Sequence, residues 1–422
     1  MAQLALCGFA LFYIGRVHEL FSFLQPLRIV LILTALSVIT AILLPSSEKH
    51  TIRHEREVRI LILLAALGVV LVPVSVWPAQ SLKVLIAHFL RLVVFFGLIA
   101  MVASTSRAAT RLVLSVLIAS TLLSVFAFLN APTLLESGGR AFASETYDRN
   151  DIALVIDCIL PLAILGAVAM SGWRRLLAIV TAGIGIIAVV NTMSRGGFIG
   201  LLVVGLLLVF RWNTVSMVRR IAAIGVGAVV VLFAVPDRYW YAVETLLNLN
   251  PTIDEGYLES GLLGRTEIWK QGLVLMAKYS VIGAGIGGFE VAEGLSHSGV
   301  GKWSAAHNSF IQVGTELGIV GLAAFVALFV VSIRNVRAVV RAARSNAVLA
   351  PLEWIASGVE IALYTFIVVG FALSAAYTPL LYFLFGMSTA LRLQSQRQTA
   401  APVPVEAVTP RVRSRAQRVP RR

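Results

Sequence analysis

Apolar stretches of about 15 to 25 residues recur along nearly the whole chain, and they limit the fold more than any other feature of the sequence. Wound as an α-helix, such a stretch can cross the roughly 30 Å hydrocarbon core of a bilayer, where every backbone polar group needs an internal partner. The chain is also 58% hydrophobic and only 13% charged, whereas a soluble domain carries about 25% charged residues. We therefore predict an all-α polytopic membrane protein with about twelve transmembrane helices. The predicted spans lie near residues 1–15, 27–44, 58–76, 84–103, 112–130, 152–170, 175–193, 197–211, 219–235, 307–333, 356–374 and 378–392.

The distribution of Lys and Arg predicts the orientation of these spans. Most of the 35 basic residues fall in alternate loops and in the C-terminal segment, and cytoplasmic loops are the ones that are enriched in basic residues. We expect both termini in the cytoplasm, a transmembrane domain over residues 1–392 and a disordered basic tail over 393–422. The net charge of +14 then reflects topology and attraction to anionic membrane lipids, and no nucleic-acid partner is expected.

Two outer loops are long enough to cover the ends of the helices on the opposite face of the membrane. The larger, residues 236–306, begins with an aromatic cluster of the kind that is enriched at membrane interfaces. The smaller, residues 131–151, contains Arg140 and the sequence Asp148-Arg149-Asn150. We predict that the larger loop folds over the spans as a cap and that both loops roof a cavity.

Three further arginines depart from the positive-inside bias. Arg195 lies in a predicted tight outer turn before a helix, where backbone amides and a guanidinium could converge on an anion, or where the side chain could simply cap the preceding helix. Arg265 could bind an anion or pair with Glu267, which could instead pair with Lys270. Arg91 falls about two turns inside the fourth predicted span, where an arginine must face protein or water.

A polar stripe marks the start of the tenth predicted span. Asn308, Gln312 and Thr315 recur at helical spacing, with Glu316 adjacent and His307 at the outer end. Such a stripe could form hydrogen bonds between helices. An imidazole at the membrane surface could instead accept a proton from an attacking hydroxyl, because histidine titrates near neutral pH.

Metal and nucleotide chemistry have little support in the sequence. Cys7 and Cys158 both lie in apolar stretches and are predicted to pack as small hydrophobic residues, and the histidines are scattered. Residues 283–288 match the G-x-G-x-x-G pattern but follow a helical segment instead of a strand, so we interpret them as a turn between two outer-loop helices. The pairs Gly196 with Gly200 and Gly314 with Gly318 predict close helix packing. No metal or cofactor is expected.

Several short motifs, in order, resemble the O-antigen ligase and polymerase superfamily of bacterial envelope glycosyltransferases. The resemblance covers roughly residues 139 to 325, and a departure from it is the sequence Asp148-Arg149-Asn150, where Asn-Pro-Asn is frequent in the family. The motifs that carry it are Gly139-Arg140, Asn150, Leu160-Pro161, Ser194-Arg195-Gly196-Gly197, Gly264-Arg265 with Trp269, Gly283 to Phe289, His307-Asn308, and Glu316 with Gly318 and Gly321.

The resemblance implies a GT-C-like helical architecture in the bacterial inner membrane and a periplasmic active site. It implies metal-independent, inverting transfer of a glycan from undecaprenyl diphosphate to an acceptor hydroxyl, with lipid A-core as the favoured acceptor. Arg195, Arg265 and His307 would then be catalytic, the arginines holding the diphosphate and His307 orienting or deprotonating the acceptor. The predicted substrate-binding residues are Arg91, Arg140, Asn308, Gln312 and Glu316.

Other functions remain open at this stage. Within the same family, the chain could extend a growing glycan as an O-antigen or exopolysaccharide polymerase, or transfer an oligosaccharide to protein. From another class, a twelve-span transporter or lipid-linked glycan flippase would suit an intramembrane Arg91. The single large outer loop and the grouping of polar residues at one face favour the enzyme.

Overall fold

The computed structural model describes residues 1–129, 147–211, 262–297 and 303–400, with isolated positions 216–218, 221, 222 and 225. All regular secondary structure in these residues is helical, and they contain no β-strand. We number the helices in chain order: α1 Ala2–Gly15, α2 Val17–Leu20, α3 Ile29–Ile42, α4 Arg56–Leu71, α5 Pro78–Val84, α6 Leu90–Val102, α7 Ser106–Leu129, α8 Arg149–Ala169, α9 Gly172–Asn191, α10 Arg195–Arg211, α11 Leu262–Lys278, α12 Phe289–Ser296, α13 Ser309–Ser345, α14 Glu353–Gly370 and α15 Pro379–Ala400.

Eight helical segments of the described chain are long and apolar enough to cross a membrane, by length and composition. Two shorter apolar helices, Ala2–Gly15 and Arg195–Phe210, add to them. The all-α polytopic membrane fold predicted from the sequence is thus confirmed, although the predicted ninth span, 219–235, lies largely outside the described residues. The eight segments are Phe23–Ile42, Arg56–Val74, Pro78–Val102, Ser106–Leu129, Arg149–Ala169, Gly172–Asn191, Ser309–Ser345 and Ala350–Gly370.

The helices pack around one extended apolar core. At its centre, the Phe329 ring contacts those of Phe325, Phe366 and Phe385, and so joins α13 to α14 and α15. Aromatic pairs of this kind contribute beyond the apolar area that they bury. Peripheral helices instead expose apolar side chains, as α3 does with Ile32, which is the pattern expected of a surface that faces lipid.

The span that contains Arg91 is not a regular α-helix. Between α5 and α6 the segment Leu85–Phe89 forms a π-helical turn, an insertion that re-aims side chains and often lies at functional sites. His88 lies in this turn, and its Nε2 is 2.8 Å from the carbonyl oxygen of Tyr377, in the connection between α14 and α15. The irregular turn therefore joins the span Pro78–Val102 to the connection between α14 and α15. The same connection forms hydrogen bonds with His307 and Ser309, at the start of α13.

Helices α8 and α10 approach each other closely because α10 presents glycines. A Cβ at Gly197 would clash with the Cβ of Ala153, and one at Gly200 would clash with the carboxyl group of Asp157. At Gly196 a Cβ would meet its nearest neighbour at 3.8 Å, which is ordinary contact. Gly200 thus fits the predicted role in close packing, and Gly196 is not required for it.

Helix α13 breaks at Gly318, which has a φ of 69° and a ψ of −173°. The backbone between α11 and α12 crosses it there: the amides of Ala284 and Gly285 donate to the carbonyls of Thr315 and Glu316, at 2.8 and 2.9 Å. These bonds satisfy carbonyls that a regular helix would pair internally. Residues 283–288 therefore form the predicted turn between two outer-loop helices, but the turn is anchored to a membrane span.

The described part of the larger outer loop has a small core of its own. Leu275 of α11, Phe289 and Ala292 of α12, and Ala306 and Ile311 near the start of α13 are buried together. This cluster fixes α11 and α12 against the N-terminal end of α13.

At the C-terminus, α15 continues to Ala400, so residues 393–400 are helical although the sequence predicts a tail from 393. The side chains of Gln394 and Arg397 donate to the backbone carbonyls of Ala103 and Lys49, at 2.6 and 2.7 Å. Residues 401–422 lie outside the described chain.

Candidate active site

The segment that contains His307 is fixed by hydrogen bonds on both sides of the residue. The His307 amide donates to Ser374 Oγ at 2.8 Å, and its carbonyl accepts from Trp269 Nε1 at 3.0 Å. Next along the chain, Ser309 Oγ donates to the carbonyl of Leu373 at 2.7 Å. His307 has a φ of 45°, a left-handed conformation that is uncommon for non-glycine residues. The backbone is thus held in a demanding conformation that sets the position of the half-buried imidazole.

Asn308 begins the helix that follows. Its Oδ1 accepts from the amides of Phe310 and Ile311, at 2.9 and 3.1 Å, which is the usual N-cap arrangement. The predicted stripe of Asn308, Gln312 and Glu316 therefore lies on the short outer part of α13, before the break at Gly318. His307 is the residue just before this helix cap.

Trp269 brings α11 and Arg265 to the same place. Arg265 precedes Trp269 by four residues in α11, so the two side chains lie on one face of that helix. Burial lowers the pKa of Arg265, the positive charge of Arg195 lowers it further, and Asp148 raises it. Arg195 and Arg265 are thus close enough to repel each other, while Glu267 pairs with Lys270 at 3.3 Å.

Arg195 stands at the start of α10, after a tight turn in which Met193 has a φ of 53°. Ser194 Oγ accepts from the amide of Gly197 at 3.1 Å and donates to Asn150 Oδ1 at 2.7 Å. Asn150 is in the first turn of α8, which Asp148 and Asp151 begin with a capping box. These contacts place the predicted tight turn, the positive end of a helix dipole and the start of α8 side by side.

Glu316 is buried and already has protein partners. Its carboxylate accepts from the Tyr377 hydroxyl at 2.8 Å and from the amide of Phe289 at 3.4 Å. It therefore fastens α12 and the α14–α15 connection to α13. Gln312 is half-buried one turn earlier.

Arg91 belongs to a second group of polar residues, around the C-terminal end of α1. Burial lowers the pKa of His18, Glu19 raises it, and the charges of Arg16 and Arg91 lower it, so these residues are neighbours. Arg91 is thus grouped with Arg16 and His18, and Arg140 lies outside the described residues.

Arg16 is a residue that the sequence analysis does not single out. It is 8% exposed, donates to Glu19 at 3.3 Å and lies 5.3 Å from the ring centre of Tyr147, just before α8. The sequence pattern that identifies Arg195 could also have identified Arg16, because both are arginines at the predicted outer end of a span. Its burial depends on residues more than a hundred positions away, which the local sequence does not indicate.

Together these contacts give two cationic groups near the starts of α8 and α13. The first contains Arg195 and Arg265 beside the His307 segment, and the second contains Arg16 and Arg91. In the described parts of the chain, no group of three or more His, Cys, Asp or Glu residues could hold a metal ion. Guanidinium groups near a helix N-terminus can bind and stabilise phosphate oxygens.

Comparison with known proteins gives a family for the segment that holds the first group. Residues 177–326 match the family model for O-antigen ligase. No curated protein matches the chain. The matched segment contains Arg195, Arg265 and His307, whereas Arg16 and Arg91 precede it. The match confirms the resemblance found in the sequence: residues 177–326 of this integral membrane protein carry the O-antigen ligase domain, which indicates a glycosyltransferase-like enzyme.

Proposed function

We propose that this protein transfers a glycan from undecaprenyl diphosphate to an acceptor hydroxyl at the periplasmic face of the bacterial inner membrane, as an O-antigen ligase that acts on lipid A-core. The observation that carries the proposal is the proximity of Arg195 and Arg265, together with the hydrogen bond from Trp269 to the carbonyl of His307. All four residues lie in the segment that matches the O-antigen ligase family.

The two arginines would bind the diphosphate and stabilise the charge that develops as the glycosidic bond breaks. One guanidinium group can form two parallel hydrogen bonds with phosphate oxygens. Fixed cations in a site of low polarity stabilise the negative charge on the leaving diphosphate more than water does. The half-buried Arg265 and the adjacent start of α10 supply this arrangement.

His307 would accept the proton of the acceptor hydroxyl. The hydroxyl oxygen attacks the anomeric carbon from the side opposite the phosphate, the carbon–oxygen bond to the diphosphate breaks, and undecaprenyl diphosphate leaves with the bonding electrons. The proton passes from the imidazole to water. This displacement inverts the anomeric configuration and needs no metal or nucleotide, because the donor already carries its leaving group.

The neighbouring polar residues support the geometry. Asn308 caps α13 through Oδ1, and Glu316 binds Tyr377 and the amide of Phe289, so we assign both a positioning role. Gln312, Arg91 and Arg140 stay proposed substrate-binding residues, and we add Arg16 because its charge, like that of Arg91, acts on His18.

The proposal is tested with purified protein in nanodiscs, a lipid-diphosphate glycan as donor and lipid A-core as acceptor. We expect Arg265→Ala and His307→Ala each to lower the transfer rate by about 100-fold or more. Lys270→Ala is the matched control, because Lys270 is an exposed cation of the same helix, and it should retain the wild-type rate. Equal transfer rates in Arg265→Ala and Lys270→Ala would refute the assignment of Arg265 to the active site.

Two further arms test the finer parts of the proposal. Transfer should persist in EDTA, and the product anomer should be opposite to that of the donor by NMR. If the donor is extended by a second lipid-linked repeat and lipid A-core is not modified, the protein is a polymerase instead of a ligase.

A further inference from the structure

A basic cavity lies at the opposite end of the membrane spans from the candidate active site. It has a volume of about 390 Å³ and is bordered by Ile42 at the end of α3, Met101 near the end of α6, and the connection to α4, which contributes Lys49, His50 and Arg53. Ile42 is the last residue of one candidate span and Met101 is next to the last residue of another. The cavity is therefore at the level where hydrocarbon gives way to lipid head groups.

The residues that border the cavity carry positive charge and no negative charge. Lys49 and Arg53 contribute side chains, and no Asp or Glu is among the lining residues. A third cation is adjacent, because Arg397 donates to the carbonyl of Lys49 at 2.7 Å. The cavity thus favours an anion, and at this depth the phosphate of a membrane lipid is the anion at highest local concentration.

His50 adds a buried polar group to the wall of the cavity. It is 2% exposed, its amide donates to the carbonyl of Met101 at 3.0 Å, and neither ring nitrogen makes a hydrogen bond of good geometry, although the backbone of Ala103 is close enough to affect its pKa. Burial lowers the pKa of His50 to about 4, the charge of Arg397 contributes to the same effect, and the backbone of Ala103 partly offsets it. A neutral imidazole with no hydrogen bond of good geometry can donate its one N–H to a phosphate oxygen.

An apolar surface extends from the cavity along α3. Ile39, Ile42 and Leu43 are 55%, 69% and 75% exposed, and together they could receive an acyl chain that descends from a head group in the cavity. A free phosphate ion would use the cations alone, whereas a phospholipid would use both the cations and this surface.

We propose that the cavity beside Lys49, His50 and Arg53 binds an anionic phospholipid, with the phosphate between the basic side chains and an acyl chain along α3. The site is independent of glycan transfer, and in the predicted orientation it opens to the cytoplasmic leaflet. Its occupancy would stabilise the connection between α3 and α4 against α6 and α15.

The test measures lipid binding to the full-length delipidated protein by microscale thermophoresis, with short-chain phosphatidylglycerol, short-chain phosphatidylcholine and inorganic phosphate as probes. We expect phosphatidylglycerol to bind more tightly than the other two. The double variant Lys49→Ala with Arg53→Ala should weaken that binding about 30-fold, the change expected when two basic side chains that contact a phosphate are removed.

The matched control is the double variant Arg107→Ala with Arg341→Ala, which removes two exposed cations that do not border the cavity. It should bind phosphatidylglycerol like the wild type, and melting temperatures of both variants should confirm folding. Equal weakening in the two double variants would show diffuse electrostatic attraction and overturn the proposal. Binding of inorganic phosphate as tight as that of phosphatidylglycerol would exclude the lipid and overturn it as well.

Discussion

The crossing between the outer-loop turn and α13 gives the sharpest test of how this fold holds its site. Gly285 has a φ of 91°, and a Cβ at this position would overlap the side chain of Ser75 and lie 2.6 Å from Ser81 Oγ. Its amide donates to the carbonyl of Glu316 at 2.9 Å. The substitution Gly285→Ala therefore adds a methyl group where the backbone is left-handed and the space is occupied.

The two effects can be sized separately. A non-glycine residue with a left-handed backbone costs about 1–3 kcal/mol, and forcing an extra methyl group into a packed site costs about 1–3 kcal/mol. If they add, the free energy of unfolding falls by about 2–6 kcal/mol. Gly183 in α9 is the matched control because a Cβ there meets nothing within 4 Å, and Gly183→Ala should be neutral or stabilising by up to about 1 kcal/mol.

The assay is unfolding of the purified protein in mixed micelles by titration with a denaturing detergent, followed by far-UV circular dichroism. Glycan transfer is measured on the same samples under native conditions, where Gly285→Ala should also lower the rate, because the turn connects the loop helices to α13. If Gly285→Ala and Gly183→Ala unfold at the same detergent fraction, the tight crossing does not exist and the packing argument is wrong.

Three further predictions concern the site and the cavity. Trp269→Phe removes the hydrogen bond to the carbonyl of His307 but keeps an aromatic ring. The rate of glycan transfer should therefore fall about tenfold, while the free energy of unfolding changes by about 1 kcal/mol or less. Transfer kinetics and detergent unfolding of the same preparation would check both. Tyr377→Phe deprives the buried Glu316 of its 2.8 Å hydrogen bond and should cost about 1–3 kcal/mol of stability by detergent titration. The pKa of His50 is about 4 in the folded protein, against 6.5 for an ordinary histidine in the unfolded chain. Between these values the unfolded chain binds the extra proton, so stability should fall as the pH drops from about 6.5 to 4, by up to about 3 kcal/mol. His50→Gln should remove this dependence on pH.

The helices were the most predictable part of this protein. Long apolar runs such as 152–170 can satisfy their backbone in a membrane only as helices, and the structure has α8 at Arg149–Ala169. The boundaries were less predictable where packing decides them. Residues 393–400 have a polar composition that suggests a tail, but Gln394 and Arg397 reach backbone carbonyls of distant segments and keep α15 helical.

The candidate site was predictable only in part, for a similar reason. Arg195 and His307 stand out locally, one in a turn between apolar runs and the other at the start of a polar stripe. The contact from Trp269 to the His307 carbonyl and the burial of Arg16 beside Tyr147 depend on how distant helices pack. A sequence pattern identifies a residue that is costly to place near lipid, but it does not identify the partners that reduce the cost.

The glycine-rich segment shows how one pattern can arise from different physical causes. In a dinucleotide site the glycines let the backbone approach a pyrophosphate. Here Gly283, Gly285 and Gly287 all have positive φ, and the space for their Cβ atoms is taken by the carbonyl of Glu316, by Ser75 and Ser81, and by Val84. The backbone approaches another part of the same protein instead of a ligand. The turn connects α11 to α12 and is bonded to α13, and α11 carries Trp269, which donates to the His307 carbonyl. In the proposed mechanism the glycines would therefore affect glycan transfer through the position of α11.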